Sequence, residues 1–177
     1  MTPNFMTLSR IGAIPVIVAL LMSASRLTTF IAALLFCIAA ITDYFDGYFA
    51  RTRGLVTNLG KIIDPLADKL LVVSTLVMLA WLHFVPGWIV CIIIGREISV
   101  TGLRCVLIEN GQDVAASWLG KYKTGFQIAA LIPLLIHYDY FGIHFNAIGQ
   151  FFLYAALVFT IWSGTDYFVK ARKFLSF

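Results

Sequence analysis

Apolar residues in this chain come in six runs, each about the length of a membrane-crossing helix, separated by short stretches where charge, glycine or proline collects. A spanning helix needs about 20 residues, and the runs fall at 5–24, 27–50, 62–83, 87–108, 118–137 and 147–169. The expected fold is all-α, an integral membrane bundle of six transmembrane helices, because a helix satisfies its own backbone hydrogen bonds where no water is available. Residues 1–177 read as a single domain, with no soluble insert, low-complexity segment or internal repeat. The start, with Arg10, an apolar run and Ser23-Ala24-Ser25, has the outline of a cleavable leader. The charge pattern works with that run retained, and its removal would leave an odd number of spans.

Charge sets the expected orientation. Arg51, Arg53 and Lys61 flank the second link, Lys121 and Lys123 follow the fourth, and Lys170, Arg172 and Lys173 end the chain. The first link carries only Arg26, and the third and fifth carry neither lysine nor arginine. By the positive-inside bias both termini are expected in the cytoplasm. Trp81, Trp88, Tyr138 and Tyr140 mark the opposite ends as interfacial aromatic anchors. Composition agrees: 60% of residues are hydrophobic and 12% charged, against about a quarter charged in soluble domains, and the mean hydropathy is +0.91. The pI near 9.1 then reads as topology and attraction to anionic lipid headgroups rather than nucleic-acid binding. Cys37, Cys91 and Cys105 are isolated in apolar runs, which excludes a zinc framework and suggests small buried packing residues.

Against this background four acids stand out: Asp43, Asp46, Asp64 and Asp68. An aspartate at a helix centre opposes insertion by roughly 2.5–3.5 kcal/mol, so four carry a load that calls for a use. Asp43 and Asp46 are three apart near one predicted helix end, and Asp64 and Asp68 are four apart near the next helix start, so each pair shares a face. An antiparallel pairing would gather them into a carboxylate box open to the cytoplasm. Oxygen-only ligands favour magnesium, manganese or calcium over zinc. Gly47 and Gly60 remove side chains where a ligand approaches, and Pro65 suggests that Asp64 sits near a helix cap.

The pattern DxxDGxxAR, formed by Asp43, Asp46, Gly47, Ala50 and Arg51, precedes GxxxDxxxD, formed by Gly60, Asp64 and Asp68. At these positions the chain resembles the CDP-alcohol phosphotransferases. The resemblance implies a six-helix membrane enzyme that moves a phosphoryl-linked group from a CDP-linked donor to an alcohol, releasing CMP. It extends to Asn4, Thr7 and Arg10, to Gly95-Arg96-Glu97 with Thr101, Leu103 and Arg104, and to Ser117 through Thr124 with Gln127. There it narrows to bacterial members that join CDP-diacylglycerol to sn-glycerol 3-phosphate. The same resemblance implies a pair of divalent cations, Mg²⁺ or Mn²⁺, held by the four aspartates. Asp43 and Asp64 would bridge them, Asp46 would complete one site, and Asp68 would lie near the second and act as general base. Asn4, Thr7, Gly47, Ala50, Arg51 and Gly60 would meet the CDP donor. A homodimer in the bacterial cytoplasmic membrane, with its active site facing the cytoplasm, is likewise implied.

The acceptor's phosphate needs cations of its own. Arg96 and Arg104 are eight residues apart, about 80° around one helix; Lys121 and Lys123 add charge at the next helix start. Arg96 lies roughly 12 Å along the helix from Trp88 at 1.5 Å per residue, a depth that requires pairing or water. Glu97 and Arg104, seven apart, are an alternative internal ion pair, and Lys121, Lys123 and Arg51 also satisfy topology alone. Other readings stay open at this point: serine, inositol phosphate or phosphatidylglycerol as the acceptor, or a divalent-cation transporter, since intramembrane acids also mark ion paths. His83, His137 and His144 fall in the outer links and read as interfacial polar residues.

Overall fold

The join between the first two helices shows how local chemistry sets the element boundaries. Ser25 Oγ accepts from the Thr28 amide at 3.2 Å, while Thr28 Oγ1 accepts from the Ser25 amide at 3.0 Å, a reciprocal N-terminal cap. In this computed structural model residues 3–53, 58–109 and 118–172 are described, with side chains for 10–42, 67, 69–108 and 118–172. The elements are α1 (Pro3–Ser23), α2 (Arg26–Arg53), α3 (Asn58–Trp81), α4 (Gly87–Glu109), α5 (Trp118–Ile136) and α6 (Phe145–Arg172). Each helix overlies one predicted apolar run. One boundary differs in a way that matters: α3 begins at Asn58, so Asp64 lies six residues inside the helix and not near its cap. Pro65 is absorbed within the helix because it removes only one backbone donor.

Among the described residues no strand forms; an isolated bridge joins Tyr140 to Ile143 across a tight turn. Phe141 (φ 53°) and Gly142 (φ 76°) both take positive φ there, the signature of a type I′ turn. That turn belongs to one end of the molecule where three links meet. Tyr138 Oη donates to the Ala24 carbonyl at 3.1 Å and Tyr140 Oη to the Arg26 carbonyl at 3.2 Å. The ring of His137 stacks on Phe84 with centroids 3.4 Å apart, and the Gln150 amide donates to the Phe84 carbonyl at 2.7 Å. The α1–α2, α3–α4 and α5–α6 links therefore gather at a common end. All three histidines are at these links, as expected. Arg26, the one cation predicted there, is held between rings, its guanidinium 4.5 Å from the Tyr140 centroid and bonded to the Asp139 carbonyl.

Helix α1 packs on α2 and α3, α5 on α6 and α2, and α4 on α6 and α3. Helices α5 and α6 approach closely at Gly149, where a Cβ would stand 2.6 Å from Leu134 Cγ and 2.9 Å from the Leu134 backbone nitrogen. A core of Ile17, Leu21, Phe36, Leu76, Leu79, Ile93, Leu131 and Leu153 draws on every helix. Large apolar side chains also cover the outside, among them Met22, Ile38, Ile98, Phe151, Val158 and Val169. Cys91 and Cys105 are exposed and Cys37 is half-buried, so the cysteines are not the buried packing residues that their apolar neighbours suggested. An apolar outer surface removes the usual pressure to bury them. Among the described residues one helix, Phe145–Arg172, is long and apolar enough by length and composition to cross a membrane; Arg10–Ser23, Arg26–Thr42 and Lys69–Trp81 are shorter apolar stretches.

Candidate active site

Asp43 and Asp46 occupy the later part of α2, and Asp64 and Asp68 the first half of α3. Both stretches are helical, so the three- and four-residue spacings do put each pair on one helix face. Helices α2 and α3 also contact each other. The side chains of these four aspartates, and those of Asn4, Thr7, Gly47, Ala50, Arg51 and Gly60, lie outside the described residues. A donor set made only of carboxylates on two contacting helices fits a hard divalent cation bound through oxygen.

The predicted acceptor cations are described, and they divide. Arg96 is nine residues into α4, a depth at which an unpaired guanidinium would be costly. Its Nη1 lies 3.3 Å from Glu97 Oε1, and its Nη2 donates to Ser163 Oγ at 2.9 Å. Lys123, buried on α5, donates to the same Glu97 oxygen. Glu97 thus ties α4 to α5, and Ser163 ties α4 to α6. The alternative pairing of Glu97 with Arg104 does not form. Arg104 is exposed and has no ion-pair partner among the described side chains. The 80° offset that let both arginines share a pocket in principle leaves one inside the bundle and one on its surface. Lys121 is exposed, with Nζ 4.5 Å from the Trp118 ring centroid. Two residues on a helix point about 200° apart, so Lys121 and Lys123 face opposite ways.

Three features of the site were missed in the sequence. Lys69, the residue after Asp68, donates from Nζ to Thr101 Oγ1 on α4, and Thr101 Oγ1 in turn donates to the Glu97 carbonyl at 2.6 Å. It lies within electrostatic range of Arg96 and Arg104, as Lys123 does of Arg96 and Lys69. The sequence carries the signal, since Lys69 is a charge at the head of an apolar run, directly after Asp68. Ser163 and Gly164 are the other two. A Cβ on Gly164 would meet Arg96 Cγ at 3.1 Å, so the glycine lets the arginine lie flat against α6. Thr160, Ser163 and Gly164 are spaced three and four apart on one face of α6, a small polar stripe in an apolar helix.

Among the described side chains, Glu97 is the carboxylate of Arg96 and Lys123, Lys69 joins them through Thr101, and Arg104 lies nearby on the exposed side. Among the described side chains there the cations outnumber the carboxylate by three, and Lys69, Arg96 and Lys123 are partly or fully shielded from water. Guanidinium and ammonium groups gathered in this way suit a compact multivalent anion such as a phosphate.

Comparison with known proteins agrees with that chemistry. A family model described as CDP-alcohol phosphatidyltransferase matches residues 1–162. A protein of Bacillus subtilis (strain 168) is 43% identical over 95% of this chain and 93% of its own length. One from Rickettsia bellii is 40% identical over 97% and 96%, and one from Escherichia coli (strain K12) 38% identical over 96% and 94%. All three are named CDP-diacylglycerol–glycerol-3-phosphate 3-phosphatidyltransferase. With the family model covering all but the last turns and end of the sequence, and these relatives aligned over nearly its full length, the chain belongs to the CDP-alcohol phosphatidyltransferase family.

Proposed function

We propose that this chain is a membrane phosphatidyltransferase that moves the phosphatidyl group of CDP-diacylglycerol onto sn-glycerol 3-phosphate, giving phosphatidylglycerophosphate and CMP. The observation that carries the acceptor is the excess of cations around Glu97, next to the helix bearing Asp64 and Asp68. Serine, a zwitterion with no net charge and no phosphate, would leave that charge unmatched. The names of the full-length relatives support the same donor and acceptor.

In this reading Asp43, Asp46, Asp64 and Asp68 would hold two divalent cations, Mg²⁺ or Mn²⁺. Bound there, the cations supply neutralisation of the donor's pyrophosphate as the bond to CMP breaks. Asn4, Thr7, Gly47, Ala50, Arg51 and Gly60 seat the CDP moiety, the small residues admitting the cytidine. Arg104 meets the incoming phosphate from the exposed side and Arg96 and Lys123 hold it in the interior, while Lys121, which faces away from Lys123, attracts the anion by charge alone. Asp68 accepts the proton from the 1-hydroxyl of glycerol 3-phosphate. The freed oxygen bonds to the phosphatidyl phosphorus, and the bond from that phosphorus to the bridging oxygen breaks, leaving CMP. Positioning and charge compensation supply most of the rate in such transfers.

The chain is read as one domain of six transmembrane helices in a bacterial cytoplasmic membrane, working as a homodimer with both termini and the site in the cytoplasm. The exposed apolar faces of the helices support this reading. So does the gathering of Trp81, Trp88, Tyr138 and Tyr140 toward the end opposite Lys121, Lys170 and Arg172. The test is CMP release from CDP-diacylglycerol by purified protein, offered glycerol 3-phosphate, inositol phosphate, serine and phosphatidylglycerol in turn. Release should depend on glycerol 3-phosphate. Consumption of inositol phosphate with glycerol 3-phosphate ignored would overturn the acceptor assignment.

A further inference from the structure

We infer that Lys69 is a phosphate-binding residue of the acceptor site, and the one that registers the acceptor's phosphate against the helix that carries the general base. This rests on the reading of the acceptor as a phosphorylated alcohol, and it adds a residue to the cations proposed for that site.

Lys69 is half-buried on α3 and reaches across to Thr101 on α4, one turn beyond Glu97. Thr101 is itself fixed by its hydrogen bond to the Glu97 carbonyl, so the ammonium is held at a defined place on the α4 surface. That place is within electrostatic range of both Arg96 and Arg104. Lys123 in turn feels the charges of Arg96 and Lys69. Like charges brought together in a partly desolvated setting repel strongly. The one described carboxylate among them, Glu97, is already shared by Arg96 and Lys123. Lys69 has no acid of its own among the described side chains there, and an ammonium carries three donors, of which a single bond to Thr101 uses one. A phosphate dianion beside Lys69, approached from the exposed Arg104 side, takes up the remaining ammonium donors and offsets the repulsion.

Chain connectivity explains why the position matters. Arg96 and Arg104 are on α4 and Lys123 is on α5. Lys69 is the only member of the cluster on α3, and it is covalently next to Asp68. In glycerol 3-phosphate only three carbons separate the phosphate-bearing oxygen from the attacking hydroxyl. A cation adjacent in sequence to the base can hold the phosphate end while the hydroxyl end stays within reach of Asp68. Lysine suits this role better than arginine would, since it is a compact charge on a flexible stem.

The experiment compares Lys69→Met and Lys69→Arg with the parent protein, using CMP release at saturating CDP-diacylglycerol while glycerol 3-phosphate is varied. A lost charge-assisted hydrogen bond should raise KM for glycerol 3-phosphate about ten- to a hundredfold in Lys69→Met. KM for CDP-diacylglycerol should change less than about twofold, since removing acceptor contacts leaves donor binding intact, and Lys69→Arg should recover most of the loss. Thr101→Val, which frees the ammonium without removing it, should give a smaller rise in the same constant. A Lys69→Met protein with unchanged KM for glycerol 3-phosphate would overturn the inference, as would loss of folded protein or of kcat alone that Lys69→Arg does not repair. If the parent itself ignores glycerol 3-phosphate, the acceptor reading fails first; if the parent uses it and only the Lys69 variants fail to respond, the inference alone is wrong.

Discussion

At the scale of single residues, the site is a problem of charge compensation in a poorly hydrated interior. Glu97 is the counter-ion for Arg96 and Lys123, so Glu97→Gln leaves two partly buried cations facing each other. Breaking one side of such a pair costs about 3 kcal/mol or more when burial is complete; the side chain here retains 14% exposure, which argues for somewhat less. The expected outcome is a lower thermal midpoint in detergent, with glycerol 3-phosphate restoring more of it in the variant than in the parent. Asp64→Asn should lower turnover on the order of a thousandfold with every acceptor, because it removes one of the four carboxylates proposed to hold the cations. Gly164→Ala is a gentler probe. Its new methyl would press on Arg96 Cγ at 3.1 Å and should raise KM for glycerol 3-phosphate roughly threefold, about 0.7 kcal/mol of misplacement.

The helices themselves were legible because each apolar run is long and each break carries charge, glycine or proline. What the runs could not reveal is which face of each helix packs. Inward and outward faces are both apolar, so periodicity carries little information. That is why Cys91 and Cys105 read as core residues and are exposed, and why the pattern gave no sign that Lys69 reaches α4. Spacing did carry the aspartate pairs, since three and four residues on a helix always share a face. Pro65 misled in the other direction: a proline near a helix start is usual, but α3 began earlier, at Asn58. At this scale Gly149 is the decisive contact. Gly149→Ala would drive a methyl into Leu134 side chain and backbone. It should cost about 1–3 kcal/mol by overpacking, read as a lower thermal midpoint, with KM for the acceptor unchanged because the site lies elsewhere along α6.

For the whole molecule, the arrangement separates two ends. Three links with aromatic anchors and a ring-held Arg26 gather at one end, while Lys121, Lys170 and Arg172 lie toward the other. In the proposed orientation Phe141, fully exposed at the tip of the α5–α6 turn, lies outside the cytoplasm. In a background lacking Cys37, Cys91 and Cys105, Phe141→Cys should react with a membrane-impermeant thiol reagent in intact cells, and Arg172→Cys only after permeabilisation. The reverse pattern would invert the topology and strand the site on the wrong face for a cytoplasmic acceptor. The distribution of cations along the sequence is what proposes this orientation, whereas the meeting of three helices around Glu97 required the fold.

The central claim is that one chain joins these two substrates. The direct measurement tracks carbon-labelled sn-glycerol 3-phosphate into lipid with purified protein, CDP-diacylglycerol and Mg²⁺ or Mn²⁺ in mixed micelles. Label should appear in phosphatidylglycerophosphate in equal amount to CMP released, and a chelator should stop both. CMP release without labelled lipid, or labelled lipid that forms undiminished in the chelator, would contradict the account.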